Sequence, residues 1–383
     1  MKEAVIVMAK RTPIGKIGGN LSTLEPEQLV APLIRYMVEA TQLDPNEINE
    51  VIIGNVVGVG GNIARRSALE ADLPVSVPGV TIDRQCGSGL EAINIAGRLI
   101  QSGSGDVYLA GGVESTSRAP WKMAKPSTLM GVPQLYTRAP FTPAIYGDPD
   151  MGIAAEYVAS KYHISREAQD EYALQSHRKA IYAQQTGRFA QEIIPLYVQE
   201  QWITTDECPR ADTSLEQLSR LPAVFLETGT VTAGNSCPLN DGAAIVLMMS
   251  RQKCEQLKLQ PMLKFVDSQS AGVDPNELGI GPIPAVQKVC GRQQLTIEDI
   301  DVVEFNEAFS AQVLACLQAL NIPHSKVNLG GGALALGHPY GASGAILITR
   351  LCTEMSNQPY HKGLATLGIG GGIGLATIVE KIR

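Results

Sequence analysis

The chain has 383 residues, a formal net charge of −7, 44% hydrophobic and 18% charged residues. That suits a soluble globular enzyme of two ordinary domains or one large duplicated one. No long basic run suggests nucleic acid as a partner, and no apolar run nears the roughly 20 residues that span a bilayer.

In chain order, the first apolar run, Ala4-Val5-Ile6-Val7, predicts a strand. It is too short for a secretory signal and is ended by Lys10-Arg11, which leaves the cytoplasm as the expected location. Further strand-like runs are Val51-Ile52-Ile53-Gly54 and Val107 to Gly112. Between them, Leu90 to Ile100 has the spacing of a helix. It is opened by the glycine-rich turn Gln85-Cys86-Gly87-Ser88-Gly89. The segment from about Ser117 to Gly234 differs in kind, rich in Pro, Met, Tyr and charge. Within it an amphipathic helix is expected near Ile164–Arg188, capped by Ser165 and stopped by Thr186-Gly187.

The pattern then repeats. Leu263 to Val266, Val302 to Phe305, Leu364 to Leu367 and Ala376 to Val379 predict strands, and Ala308 to Leu320 and Ala345 to Met355 predict helices. Tyr340-Gly341-Ala342-Ser343-Gly344 opens a helix as Gln85 to Gly89 does in the first half. Strands alternating with helices imply crossovers and a largely parallel sheet. Two similar α/β halves then aim helix N-termini, with their unpaired N–H groups, at one cleft.

Seven cysteines (Cys86, Cys208, Cys237, Cys254, Cys290, Cys316 and Cys352) show no C-x-x-C pair, which argues against a disulfide framework or a zinc site. Cys86 alone sits at a strand-to-helix turn, where the helix dipole favours thiolate. Among five histidines only His338 lies between glycine turns in an apolar context. It is the expected base for Cys86. His163 and His177 read as surface positions of the insertion. Asn306 follows a strand and precedes a helix, a place where Asn serves as N-cap in any protein. No dinucleotide fingerprint or Walker loop is present, so no cofactor is expected.

Four motifs resemble the thiolases: Asp83-Arg84-Gln85-Cys86-Gly87-Ser88-Gly89, Asn306-Glu307-Ala308-Phe309, Gly337-His338-Pro339, and Leu367-Gly368-Ile369-Gly370-Gly371-Gly372. They span both halves in family order. The resemblance implies a five-layer α-β-α-β-α fold. It divides the chain into an N-terminal domain (1–116 with 238–258), a loop domain over the acyl-CoA cleft (117–237) and a C-terminal domain (259–383). It implies acyl transfer through acyl-Cys86, as Claisen condensation of two acyl-CoA molecules or CoA-dependent thiolysis of a 3-oxoacyl-CoA. Coenzyme A thioesters are then substrates. A synthase-like Cys-His-Asn condensing enzyme or a non-catalytic acyl-CoA-binding subunit are the alternatives.

By the same resemblance, His338 and Asn306 hold the enolate, and backbone N–H groups of Cys86 and of Gly370 or Gly371 hold the thioester oxygen. Met151, Leu278, Ala308 and Phe309 lie near the acyl end, Ala233 on the pantetheine tunnel, and Arg210 and Leu221 near the nucleotide. A homodimer through sheet edges is the minimum assembly and a homotetramer the other option. The segment Trp121–Phe141 is unlike the loop that builds family tetramers. Three departures alter the pocket. Gly368 replaces the family's second cysteine, Asp150 stands where many short-chain members have His, and Leu278 replaces a common Met. Cys237, where relatives usually carry Ser, is a candidate for the missing acid/base; the alternative is a size-conserving exchange.

Overall fold

The computed structural model describes residues 2–382, the side chain of Leu278 excepted. Strand β1 (Ala4–Arg11) leads to helix α1 (Pro26–Thr41), β2 (Glu50–Gly54), α2 (Ile63–Glu70), β3 (Gly79–Ile82), α3 (Ser88–Ser102) and β4 (Val107–Ser115). The insertion carries α4 (Met151–Lys161) and α5 (Arg166–Gln185). The chain returns through β5 (Asn240–Ser250), β6 (Leu263–Gly272), α6 (Pro282–Gln293), β7 (Val302–Phe305), α7 (Ser310–Leu320), α8 (Tyr340–Asn357), β8 (Lys362–Ile369) and β9 (Ile373–Lys381).

The strands run β7-β8-β9-β6-β1-β5-β4-β2-β3, and a two-residue strand at Gly15–Lys16 adds to β5. Each half repeats one pattern. In the first, β1 pairs antiparallel with β5, β5 antiparallel with β4, and β4 parallel with β2 and on to β3. In the second, β6 pairs antiparallel with β9, β9 antiparallel with β8, and β8 parallel with β7. A parallel bridge from Val303 to Val327 stands where β3 stands in the first half. The two half-sheets are hydrogen-bonded to each other through two residue pairs of β1 and β6.

The sheet is therefore mixed rather than largely parallel. In the second half the chain turns back on itself at Gly370–Gly372, where Gly371 and Gly372 have positive φ, and makes β9 antiparallel to β8. In the first half β5, absent from the sequence reading, supplies the antiparallel partner after the insertion. Its apolar run Ala243–Met249 is buried on both faces, so it lacks the alternation that marks a strand.

Alternate residues of β1 serve different cores: Ala4 and Ile6 face the layer between the two half-sheets, and Val5 and Val7 the layer outside the first. Helices α3 and α8 fill the middle layer, α1 and α2 cover one outer face, and α6 and α7 the other. These are the five layers the motifs imply. A buried ion cluster ties the insertion to this body. Arg11 bridges Glu192 (2.8 Å) and Asp206 (2.7 Å), Arg350 reaches Glu192 and Glu354 (2.5 Å each), and both guanidinium groups lie over the Phe189 ring.

The starts of α3 and α8 meet at glycine. A Cβ at Gly112 would lie 1.8 Å from the Gly341 carbonyl oxygen, and one at Gly89 2.5 Å from the same atom. Backbone cannot swing aside as a side chain can. Gly112→Ala is expected to destabilise the protein by at least the about 1–3 kcal/mol typical of overpacking, read as a lower denaturant midpoint. An unchanged midpoint would show that the two helix starts can separate without loss.

Candidate active site

Cys86 lies in the turn that opens α3, one residue after Gln85, whose φ is +46°. It is 6% exposed. Burial is the largest influence on its thiol and pushes it up to about 12. The backbone N–H groups of Cys86 and Gly370 pull more weakly the other way. The helix start thus does not make a resting thiolate; desolvation outweighs the dipole.

His338 is buried, and burial lowers its imidazole to about 4. Its backbone N–H donates to Asn240 Oδ1 at 2.8 Å, and its ring meets Tyr340 edge-on at 5.1 Å. Nδ1 lies 2.6 Å from Ser343 Oγ, and Ser343 donates to the Pro339 carbonyl at 3.0 Å. With its one proton so placed, Ser343 accepts from Nδ1–H. Nε2 is then the basic nitrogen, 3.4 Å from Asn306 Nδ2. Asn306 is not a cap: α7 starts later, with Phe309 at its N-cap, and the Asn306 backbone N–H donates to Thr366 O.

Neutral thiol and neutral imidazole set the pH dependence. With His338 as the base expected for Cys86, its neutral form is the active one, so rate is lost as pH falls through its pKa. Acylation of the free enzyme should be level between roughly pH 5 and pH 9 and decline on an acid limb near pH 4. An acid limb near the unperturbed histidine value of about 6.5 would contradict this assignment.

Cys86, Met151, Ala155, Gly279, Ala308, Phe309, Gln312 and Gly368 enclose a cavity of about 10 Å³. Met151, Ala308 and Phe309 thus border one cavity with Cys86, and Leu278 lies outside the described side chains. Cys237 is not among the residues around this cavity. Its backbone N–H donates to the Ala308 carbonyl at 3.0 Å, and burial raises its thiol strongly. Gly371 serves the β8–β9 turn, while the Gly370 backbone favours the Cys86 thiolate. Asp150 points outward, 3.8 Å from Arg138.

A groove of about 480 Å³ is lined by Arg210, Leu221 and Ala233, with Lys16, His177 and Ser236. Residues 236–239 run along one side of it towards Phe309 and His338: Ser236 bridges to Phe309 and Leu239 to His338. His177 is buried rather than superficial, because its Nδ1 accepts the Arg210 backbone N–H at 3.2 Å. Its spacing in α5 places it on the inner face, which a count of neighbouring charges obscures. Phe141 of the insertion lies against Gly370 and Gly371 in the β8–β9 turn. Lys16, Ser343 and Gln312 had no role in the sequence reading. Ser343 and Gln312 lie inside recognised stretches, five residues after His338 and six after Asn306.

Among the described residues no cluster suits a metal ion, and no helix is long and apolar enough to cross a membrane. The family model for the thiolase N-terminal domain matches residues 4–252, and that for the thiolase C-terminal domain residues 259–381. A Staphylococcus epidermidis protein with the provisional name acetyl-CoA C-acetyltransferase VraB is 50% identical over 384 residues, covering 100% of this chain and 99% of its own. The Staphylococcus aureus protein of the same name is 50% identical over 383 residues, 100% of both. The crystal structure of the Bacillus anthracis acetyl-CoA acetyltransferase superposes with a TM-score of 0.94 at 38% identity, covering 100% of this chain and 99% of that one.

Proposed function

The chain belongs to the thiolase family and is a thiolase-type acyltransferase, and from that premise we propose that it works through an acyl group on Cys86. The observation that carries this reading is a buried Cys86 in the turn that opens α3, bordering one cavity with Ala308, Phe309 and Gly368, with His338 Nε2 and Asn306 Nδ2 paired at 3.4 Å; the backbone N–H groups of Cys86 and Gly370 are the donors assigned to the thioester oxygen. A thioester formed there develops negative charge on its oxygen beside two preorganised donors. His338 Nε2 takes the thiol proton as Cys86 attacks, then returns it to the departing CoA thiolate. No resting thiolate is required.

In the second half-reaction Asn306, joined by His338 once its Nε2 has taken up the α-proton, holds the enolate of a second acyl-CoA, which attacks acyl-Cys86 to give a 3-oxoacyl-CoA. Thiolysis is the reverse. The groove takes the rest of coenzyme A: Ala233 beside pantetheine, Leu221 and Arg210 towards the nucleotide. Lys16 and Arg210 supply positive charge for phosphate in a wall that also contains Glu207 and Asp212. Cys237 is assigned to the wall beside the thioester, because it holds the Ala308 carbonyl through its backbone and does not border the cavity next to Gly368. The partly exposed edge strand β3 suits a homodimer formed edge to edge. CoA thioester substrates suit a cytoplasmic enzyme of fatty acid metabolism.

A panel of 3-oxoacyl-CoA substrates assayed with free CoA tests the reading. CoA-dependent cleavage of at least one is the expected result. Condensation without any thiolysis would favour synthase-like chemistry, and binding without either would favour a scaffold.

A further inference from the structure

The family's second cysteine moves a proton to or from the substrate's α-carbon, and Gly368 has no side chain to do so. What stands there instead is Gln312. A Cβ at 368 would lie 2.7 Å from Gln312 Nε2 and 3.0 Å from the Gly279 carbonyl oxygen. The glycine thus lets the carboxamide reach over the strand end. Gln312 is 2% exposed, and its Oε1 has no hydrogen-bond partner among the described residues. A buried, unpaired carbonyl oxygen costs about 1–3 kcal/mol, so such an atom in a native fold calls for a partner. Gln312, Gly279, Gly368 and Cys86 border the same cavity, whose about 10 Å³ is the room one water needs.

We propose that Gln312 is a positioning residue that holds a water between its Oε1 and Cys86, and that this water carries the α-proton in place of the absent cysteine. The proposal rests on the acyl-Cys86 reading. In condensation, the α C–H bond of the second acyl-CoA breaks and its proton passes through the water to His338 Nε2, which is free again after acylation. The enolate forms the new C–C bond to the acyl carbon. The C–S bond to Cys86 breaks, and the departing sulfur takes that proton back through the water. The products are 3-oxoacyl-CoA and Cys86 thiol, with the water regenerated. In thiolysis the Cys86 proton travels the other way, to the leaving α-carbon. Acylation of Cys86 by acyl-CoA involves no α-proton and does not use this water.

That separation gives the test, on the full chain with acetyl-CoA, acetoacetyl-CoA and labelled CoA. Gln312→Met keeps side-chain length and removes the amide; Gln312→Glu keeps an acceptor oxygen. In Gln312→Met, thiolysis is expected to fall by about 10²-fold, the lower range for lost proton transfer. Exchange of labelled CoA into acetyl-CoA should stay near wild type, and the solvent deuterium isotope effect on thiolysis should rise. Gln312→Glu should recover part of the lost rate. Equal loss of both half-reactions without a changed isotope effect, or no loss in either, would overturn the proposal. So would Cys237→Ser if it, rather than Gln312→Met, stops thiolysis while exchange continues. Absence of CoA exchange in the wild type would overturn the acyl-Cys86 reading beneath it.

Discussion

Replacing His338 by alanine is expected to lower condensation and thiolysis by more than the about 10²–10⁴-fold that a general base alone supplies. Two functions go together. The base that takes the Cys86 proton is lost, and burial leaves that thiol at about 12, so solvent hydroxide is a poor substitute near neutrality. The donor that shares the enolate oxygen with Asn306 is lost as well. Iodoacetamide labelling of Cys86 at pH 7 should slow in the same variant, because the thiol then has no proton acceptor. Near-normal turnover and labelling in His338→Ala would remove His338 from both roles.

Cys86→Ala is expected to leave less than about 10⁻⁴ of wild-type turnover, since the residual catalysis of an enzyme without its nucleophile comes from binding and the oxyanion donors alone. Acyl-CoA should still bind, because the groove around Arg210, Leu221 and Ala233 is built by other elements. Retained affinity with lost chemistry separates a catalytic from a structural role for this cysteine. The sulfur packs in the layer between the half-sheets, and alanine there leaves only a small gap.

Much of this architecture was legible because apolar runs and glycine turns report local geometry. The run at Val302–Phe305 is a strand with those limits, and Ser165 caps α5 by accepting the Ala168 N–H at 3.2 Å. The duplicated pattern emerged from the matching turns at Cys86 and Gly341. What failed were features set by the whole fold. The direction of β5 depends on where the insertion returns the chain. The state of Cys86 depends on burial that no local motif reports, and it reversed the expected sign of the thiol's shift. His177 read as a surface residue because its neighbours in sequence are polar; the Arg210 backbone that buries it is 33 residues away.

Gln312 illustrates the same limit. In sequence it is one polar residue in an apolar helix. Its meaning comes from Gly368, on another strand, and from the glycine at 279 that lets its side chain lie flat: a Cβ there would sit 2.7 Å from Gln312 Cγ. The resemblance places a cysteine where Gly368 stands, but which neighbour faces that position could not be read from the sequence.

The central claim is that Cys86 carries the acyl group. Brief incubation of the wild-type protein with acetyl-CoA, acid quench, and peptide mapping by mass spectrometry tests it directly. The account predicts one acetyl group per chain on the peptide containing Cys86, discharged on adding free CoA and absent from Cys86→Ala. An acetyl group on another cysteine, or a stoichiometric adduct that persists in Cys86→Ala, would contradict it.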